Sequence, residues 1–245
     1  MTPVPPTVSP TMPPTTVPPT MRPVSLSDLL PSYSKLALVD PASPQSNART
    51  CIWVEAHPEY NAMGGWRKLQ LFSLVTIYYA MGGPVTWSEN TRGNWLDATI
   101  HECFWPETSP NCVDNQSYQR LKFDGDGGIV GMISPEIGLL TLLTSLELER
   151  WAPFKPDGGL TKSIPTTIGL LTALSTIQIS NNPFTGFIPT EIGLLTLLSF
   201  LRCGSGAFRG PFPTQIGLLT AMEYLYFAAS SMTGTLPSEL GLMLP

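Results

Sequence analysis

Apolar positions recur at fixed intervals along the second half of the chain. The phrase Ile-Gly-Leu-Leu-Thr occurs at residues 137–141, 168–172, 192–196 and 216–220, and a shorter version occupies residues 240–242. The glycines of successive phrases are 31, 24, 24 and 24 residues apart. Repetition with a period of about 20 to 50 residues is the signature of stacked repeats. The pattern therefore predicts a solenoid in this half of the chain.

The residues that follow each phrase predict a short strand and a turn. In the second copy, the apolar and turn residues are Leu171, Leu174, Ile177, Ile179, Asn182, Phe184, Gly186, Ile188 and Pro189. Spacings of three, three and two indicate a turn that leads into a strand, because alternate strand residues face the same side. An asparagine after the strand can bond the backbone of a tight bend, and proline favours an extended return path. Amphipathic helices are a poor alternative, since glycine and proline would interrupt each one.

This pattern resembles the plant-type leucine-rich repeat, L-x-x-L-x-x-L-x-L-x-x-N-x-L-x-G-x-I-P-x-x-I/L-G, over residues 121–245. The resemblance implies an α/β fold, a right-handed and curved solenoid with parallel strands on its concave face and extended segments on its convex face. We expect about four to five units. We also expect an open C-terminal end, because Pro245 follows just as a new unit starts.

The chain departs from the family pattern in three places. Gly206 and Ser230 occupy the asparagine position in the third and fourth copies. The first full copy carries seven additional residues within residues 151–159. In a leading unit that begins at Leu121, Gly131 arrives one residue late, which leaves the register of that unit open.

Residues 1–24 are predicted to be a disordered stalk. They contain nine prolines, six threonines and a single charged residue, Arg22, so they cannot assemble a core. No basic start and no apolar segment follows Met1, so no signal peptide is recognisable. A cell-surface location would then require a leader or anchor upstream, and without one we expect a cytoplasmic protein.

Residues 25–120 are predicted to form a helical cap over the apolar end that a solenoid exposes. A first helix is predicted to start at Ser43-Pro44, which suit the N-cap and the first helical position, and to run to about Glu55. A second helix is predicted over residues 67–81, and glycine at Gly82-Gly83 is expected to end it.

The segment after the second helix is rich in tryptophan and cysteine and is similar to the N-terminal cap of plant-type repeat proteins; it contains Trp87, Trp95, Cys103, Trp105 and Cys112. The phrases Tyr-Ala-Met-Gly-Gly-Pro and Asn-Trp-Leu are similar to those in repeat proteins of diatoms and related algae, which are often stalked or membrane-tethered. By number alone, the four cysteines allow three complete pairings. The cap resemblance implies that Cys103 pairs with Cys112, and hence an oxidising compartment.

Three further residues bear on that compartment. Cys203 takes an inward strand position and is predicted to be a small buried apolar residue, and Cys51 is predicted to pack inside the first helix. Asn115 begins the glycosylation motif Asn-Gln-Ser, which agrees with export, although its use is left open.

The sequence carries no recognisable catalytic motif. Its two histidines are His57 and His101, and it lacks a nucleophile elbow, a phosphate-binding loop, kinase motifs and paired metal-binding cysteines. Residues 124–128, Asp-Gly-Asp-Gly-Gly, lack the glutamate that a calcium loop needs at its twelfth position, where Pro135 stands. We therefore predict that the protein is not an enzyme and has no cofactor and no metal.

Charge and hydropathy exclude two further classes of function. Charged residues make up 13% of the chain and the net charge is −5, so nucleic acid would meet no basic face. No apolar run reaches the roughly 20 residues that a membrane span needs.

What remains is the exposed side of the predicted strands. Strand alternation directs outward Ser145, Glu147, Glu149, Thr176, Gln178, Ser180, Phe200, Arg202, Tyr224 and Tyr226. Aromatic residues and arginine dominate binding hot spots. We predict an extracellular or cell-surface, receptor-like recognition module that binds a peptide, protein or glycan through the concave face. Alternatives are an inhibitor of secreted polysaccharide hydrolases, suggested by plant inhibitors that share this repeat, a structural cell-wall or adhesion protein, and a cytosolic scaffold.

Overall fold

A computed structural model describes residues 26–32, 54–83, 85–105, 111–113, 117–123, 128–150, 158–204, 206–228 and 231–243. The α-helices whose bounds lie within these ranges are α1 (Leu26–Leu29), α2 (Gly65–Ala80) and α3 (Glu89–Arg92). Short 3₁₀ helices occupy Tyr60–Ala62, Glu102–Phe104, Pro135–Leu139, Thr166–Leu170, Thr190–Leu194, Thr214–Leu218 and Ser238–Met243.

The strands among the described residues are short and belong to four sheets. They are β1 (Cys112–Val113), β2 (Ser117–Tyr118), β3 (Arg120–Lys122), β4 (Val130–Gly131), β5 (Ser145–Glu147), β6 (Gly159–Leu160), β7 (Thr176–Gln178), β8 (Thr185–Gly186), β9 (Phe200–Arg202), β10 (Ala207–Gly210), β11 (Tyr224–Tyr226) and β12 (Ser231–Met232). The five strands β3-β5-β7-β9-β11 form one parallel sheet, which we call the long sheet.

The register of the long sheet confirms the predicted repeat. Its central residues lie side by side across neighbouring strands and are Leu121, Leu146, Ile177, Leu201 and Leu225. The first four point into the protein and are at most 2% exposed. Each repeat therefore buries its strand residue against the repeats on either side, and one core runs through the described units.

Asn182 joins two neighbouring repeats through its side chain. Its Nδ2 donates to the carbonyl oxygen of Leu148 at 2.7 Å and to those of Ile179 and Ser180, and its Oδ1 accepts from the backbone nitrogen of Leu160 at 2.9 Å. The side chain thus satisfies buried backbone groups that the bend would otherwise leave unpaired. This is the role expected for the asparagine of the repeat.

A second column of strands settles the register of the leading unit. Gly131 of β4 pairs with Leu160 of β6. In the same way, Gly186 pairs with Phe208, and Gly210 pairs with Met232. Gly131 therefore takes the same structural position as the later glycines, and the additional residue of the leading unit falls before it in the chain.

The glycine of each Ile-Gly-Leu-Leu-Thr phrase is required by a close approach between repeats. At Gly193, an added Cβ would lie 2.6 Å from the carbonyl oxygen of Gln215 and 2.7 Å from its Cβ. Gly138, Gly169 and Gly217 face the next repeat at similarly short distances. A side chain at these positions would push the stacked 3₁₀ helices apart.

Helix α2 confirms the second predicted helix, with its first residue at Gly65 rather than Arg67. Its core-facing residues are buried, and the hydroxyl of Ser73 donates to the carbonyl oxygen of Glu136 at 2.6 Å, which ties the helix to the first 3₁₀ turn of the repeats. Gly82 follows with φ +81°, as expected of a glycine that ends a helix.

An aromatic cluster packs between α2 and the first strand of the long sheet. Trp87 contacts the rings of Tyr78, Trp95 and Phe123 at centroid distances of 4.9, 5.4 and 4.8 Å, and Trp95 contacts Trp105 at 5.4 Å. Aromatic rings bury large apolar surfaces, so this cluster packs α2 and the segment after it against Phe123, which follows β3.

Cys103 and Cys112 form a disulfide bond, with a Cα–Cα distance of 5.3 Å. Cys203 is a free thiol that is buried as predicted, and burial raises the pKa of its thiol well above the usual value. Several predictions fall outside the described residues: the stalk at residues 1–24, the helix start at Ser43-Pro44 with Cys51, the motif at Asn115 and the additional residues 151–157. Glu55, the predicted end of the first helix, is helical.

Candidate functional site

The side of the long sheet that faces away from the core carries the predicted binding residues, and we call it the outer face. It corresponds to the concave face expected from the repeat pattern. Thr176 and Gln178 of β7 are partly exposed there, as are Phe200 and Arg202 of β9. On β11, Tyr224 and Tyr226 are 43% and 38% exposed. The face is therefore accessible along its described length.

The N-terminal third of the outer face is an ion-pair network. Glu147 accepts hydrogen bonds from the hydroxyl of Ser145 at 2.7 Å and from Arg120 Nε at 3.2 Å, and Lys122 Nζ lies 3.9 Å from it. The sequence prediction included Glu147 but omitted Arg120 and Lys122. Arg120 and Lys122 flank the inward Leu121 in β3, so strand alternation could have predicted that both face outward.

The C-terminal part of the outer face carries three aromatic residues, which are separate from the cluster around Trp87. The rings of Phe200 and Tyr224 stack with centroids 4.5 Å apart and planes at 10°. The ring of Tyr226 is nearly parallel to that of Tyr224, with an interplanar angle of 11° and centroids 6.5 Å apart. Parallel strands place the same position of successive repeats one above the other, so aromatic residues at that position form a ladder.

Arg202 lies beside these three aromatic residues and connects them to the first full repeat. Its guanidinium carbon lies 5.4 Å from the centroid of the Tyr226 ring, within the range of a cation–π contact. Its Nη1 lies 2.9 Å from the carboxylate of Glu149, two strands away. Its Nε is buried, and within the described part of the chain it has no hydrogen-bond partner. We call Phe200, Arg202, Tyr224 and Tyr226 the aromatic–arginine cluster.

Two small residues, Ser180 and Gly204, contact each other next to Tyr226. Ser180 was predicted to face outward, but it is 2% exposed, because its hydroxyl accepts a hydrogen bond from the backbone nitrogen of Gly204 at 2.8 Å. At Gly204 an added Cβ would lie 2.6 Å from Cε1 of Tyr226. Ser180 is therefore removed from the candidate site.

The two histidines lie in a separate network beside α2. Glu102 is buried and accepts from Arg67 Nε and Nη2, each at 3.1 Å, and from Gln70 Nε2 at 3.1 Å. Burial is the largest single influence and acts to raise the pKa of the Glu102 carboxyl. The Arg67 hydrogen bonds, a backbone hydrogen bond and nearby positive charge together outweigh it and hold the pKa below its usual value. Burial lowers the pKa of the nearby His57. The network ties α2 to the disulfide segment, which is a structural role.

Two further observations concern metal binding and membrane spans. Among the residues with described positions, no group of three or more histidine, cysteine, aspartate or glutamate side chains is arranged to hold a metal ion. Within the same part of the chain, no helix combines the length and the apolar character needed to cross a bilayer.

The stacked parallel strands, the glycine-containing 3₁₀ turns and the shared core define this chain as a leucine-rich-repeat protein. No protein-family model and no curated protein sequence matches it. Solved structures are similar to it. The leucine-rich-repeat ectodomain of the plant membrane receptor kinase GASSHO1/SCHENGEN3 from Arabidopsis thaliana, in complex with CASPARIAN STRIP INTEGRITY FACTOR 2, is 25% identical with a TM-score of 0.50; the match covers 64% of this chain and 21% of that one.

Two further structures share the fold. The BIR2 ectodomain from Arabidopsis thaliana is 20% identical with a TM-score of 0.53, over 66% of this chain and 81% of its own. A plant ice-binding protein is 23% identical with a TM-score of 0.57, over 72% of this chain and 52% of its own. The chain thus spans about half of the ice-binding protein and about a fifth of the GASSHO1/SCHENGEN3 ectodomain.

Proposed function

We propose that this chain is a non-catalytic, receptor-like recognition module that binds a peptide or protein segment across the outer face of the long sheet. The observation that carries the proposal is the aromatic–arginine cluster, in which Tyr224 and Tyr226 remain more than a third exposed although they are large and apolar. Tyrosine and arginine are enriched among residues that dominate binding energy. The similarity to a receptor ectodomain that was solved with its partner supports the same function.

The charge distribution favours an elongated ligand that is positioned along the face. Arg120 and Lys122 lie on the first strand, β3, and pair with Glu147, whereas Arg202 lies on β9 and pairs with Glu149. A partner must therefore meet paired charges at β3 and at β9, with the neutral Thr176 and Gln178 of β7 between them. Exposed charges at an interface affect the orientation of the partner and its association rate more than its affinity.

We also propose that the module works outside the cell. The Cys103–Cys112 disulfide supports this location, because disulfides persist mainly in oxidising compartments. The GASSHO1/SCHENGEN3 match is to an ectodomain and supports it as well.

The test begins with a peptide-display library selected on the wild-type protein. Binders are then measured against Tyr224→Ala, Tyr226→Ala and Arg202→Ala by calorimetry. We expect each substitution to weaken binding by about 1 to 3 kcal/mol. Thr196→Ala and Thr220→Ala serve as controls, since these exposed threonines follow the 3₁₀ turns and lie off the long sheet. Selected peptides that bind all five variants as tightly as the wild type would refute the assignment of the outer face.

A further inference from the structure

A groove of about 610 Å³ lies between helix α2 and the first repeats. One wall contains Trp66 and Gln70 of α2, another contains Tyr118 of β2, and the repeats contribute Leu142 and Leu170. None of the aromatic–arginine cluster residues is among its described lining residues. The groove is therefore distinct from the outer face. Its volume falls in the range of about 300 to 1,000 Å³ that is typical of small-molecule sites.

The lining of this groove is uncharged and mostly apolar. Its described lining residues are leucine, tryptophan, tyrosine, glutamine, serine, threonine and glycine, without a charged side chain. Trp66, Leu142 and Leu170 are each about half exposed, at 49%, 51% and 52%. Large apolar side chains that converge on a concave surface are typical of ligand sites. A ligand that covers these side chains buries their apolar surface, which favours binding. A charged ligand would lose its hydration in the groove without meeting an opposite charge.

The Tyr118 hydroxyl is not part of the groove surface. Tyr118 lines the groove, but the residue is 1% exposed and its hydroxyl is buried. A ligand in the groove therefore meets the apolar side chains and not this hydroxyl.

We propose that this groove is a binding site for an uncharged, largely apolar small molecule. The site is independent of the recognition function proposed for the outer face. Trp66, Leu142 and Leu170 provide the apolar contact.

The repeat supplies a matched control for the test. Leu194 and Leu218 take the same position as Leu170 in the next two repeats and are exposed to the same extent, at 55% and 56%, but they do not line the groove. A substitution at Leu218 therefore removes an equally exposed leucine without touching the site. Any general attraction of apolar dyes to exposed leucine affects both positions equally.

The first experiment is a fluorescence titration with Nile red, which is uncharged and brightens in apolar surroundings. We expect saturable binding to one site, weakened about tenfold by Leu170→Ser and by Trp66→Ala and unchanged by Leu218→Ser. Near-ultraviolet circular dichroism verifies that each variant is folded. Equal effects of the serine substitutions at 170 and 218, or binding without saturation, overturn the proposal.

The second experiment tests the chemistry of the ligand by displacement of Nile red. At neutral pH, 1-decanol should displace the dye at a concentration about tenfold lower than decanoate, which has the same chain length and a negative charge. Equal potency of decanol and decanoate would contradict the assignment of the groove to uncharged ligands.

Discussion

At the scale of single residues, Lys162 shows how one substitution in the repeat strains the backbone. It stands where Gly186, Gly210 and Gly234 stand in later repeats, and all four have positive φ; that of Lys162 is +63°. The left-handed region costs a residue with a Cβ about 1 to 2 kcal/mol. Replacing Lys162 by glycine would remove this cost. Glycine also makes the unfolded chain more flexible, and this offsets part of the stability gained.

We therefore predict that Lys162→Gly stabilises the protein by about 0.5 to 1 kcal/mol, measured by urea unfolding. Lys162→Ala is the matched control, since it removes the same side chain but keeps the Cβ. We expect no gain from it. A gain of equal size in both variants would show that the lysine side chain, rather than the backbone, is responsible.

Glu102 gives a prediction for the dependence of stability on pH. Because the folded protein holds its pKa below the usual value, the carboxylate stabilises the fold above the unfolded pKa, and this contribution is lost as the pH falls through the folded pKa. Glu102→Gln should therefore lower the free energy of unfolding by about 2 kcal/mol at pH 7. The difference from the wild type should begin to shrink below about pH 4.5.

Urea unfolding at a series of pH values measures this difference. Glu55→Gln is the control, because Glu55 is an exposed carboxylate. A loss in Glu102→Gln that stays constant down to the most acidic pH would contradict the ionised Arg67–Glu102 pair.

At the scale of the elements, the short strands depend on the core that neighbouring repeats share. Leu198 is fully buried between repeats, whereas Gln178 is partly exposed on the outer face. Leu198→Ala should cost about 2 to 5 kcal/mol, and Gln178→Ala should cost less than about 0.5 kcal/mol. Thermal melting of both variants tests this. Similar losses of stability at the two positions would contradict the assignment of Leu198 to the core and of Gln178 to the outer face.

The positions of the strands and of helix α2 were predictable because they follow from local patterns. The three-three-two spacing places Ile177, Leu201 and Leu225 inward, and the structure pairs them side by side. Stacking then aligns Phe200 with Tyr224 without further information. The exposed members of the candidate site follow from the same alternation.

The remaining contacts could not be predicted, because they join residues that are distant in the chain. Arg202 reaches Glu149 across 53 positions, and Arg67 reaches Glu102 across 35. Their pairing depends on how the repeats stack and on where α2 docks. Strand alternation predicts that Ser180 faces outward. Its hydroxyl instead accepts a hydrogen bond from the backbone nitrogen of Gly204, and the side chain is buried. The groove beside Trp66 likewise forms only when α2 meets the repeats.

At the scale of the whole molecule, the disulfide connects the fold to the proposed location outside the cell. It closes a short loop, with its cysteines nine positions apart, and such a loop contributes about 2.5 to 3 kcal/mol in the chain-entropy model. Peptide mapping of the protein purified from its native source, without reductant, should find Cys103 joined to Cys112 and Cys203 free. Free thiols at all three positions would argue against an oxidising compartment.

The molecule presents two surfaces of different chemistry. The outer face combines paired charges with the aromatic–arginine cluster, whereas the groove beside α2 is lined by uncharged residues. Because they share no described lining residue, substitutions in one should leave binding at the other unchanged, as is usual for distant and independent sites.

Carbene footprinting of the protein with and without a selected peptide ligand is the most direct test of the outer face as the recognition surface. Photochemical labelling reports the exposure of individual side chains, and Tyr224, Tyr226 and Leu218 are all at least 38% exposed in the free protein. We predict that the ligand protects Tyr224 and Tyr226 and leaves the labelling of Leu218 unchanged. Protection of Leu218 with both tyrosines still labelled would contradict the account.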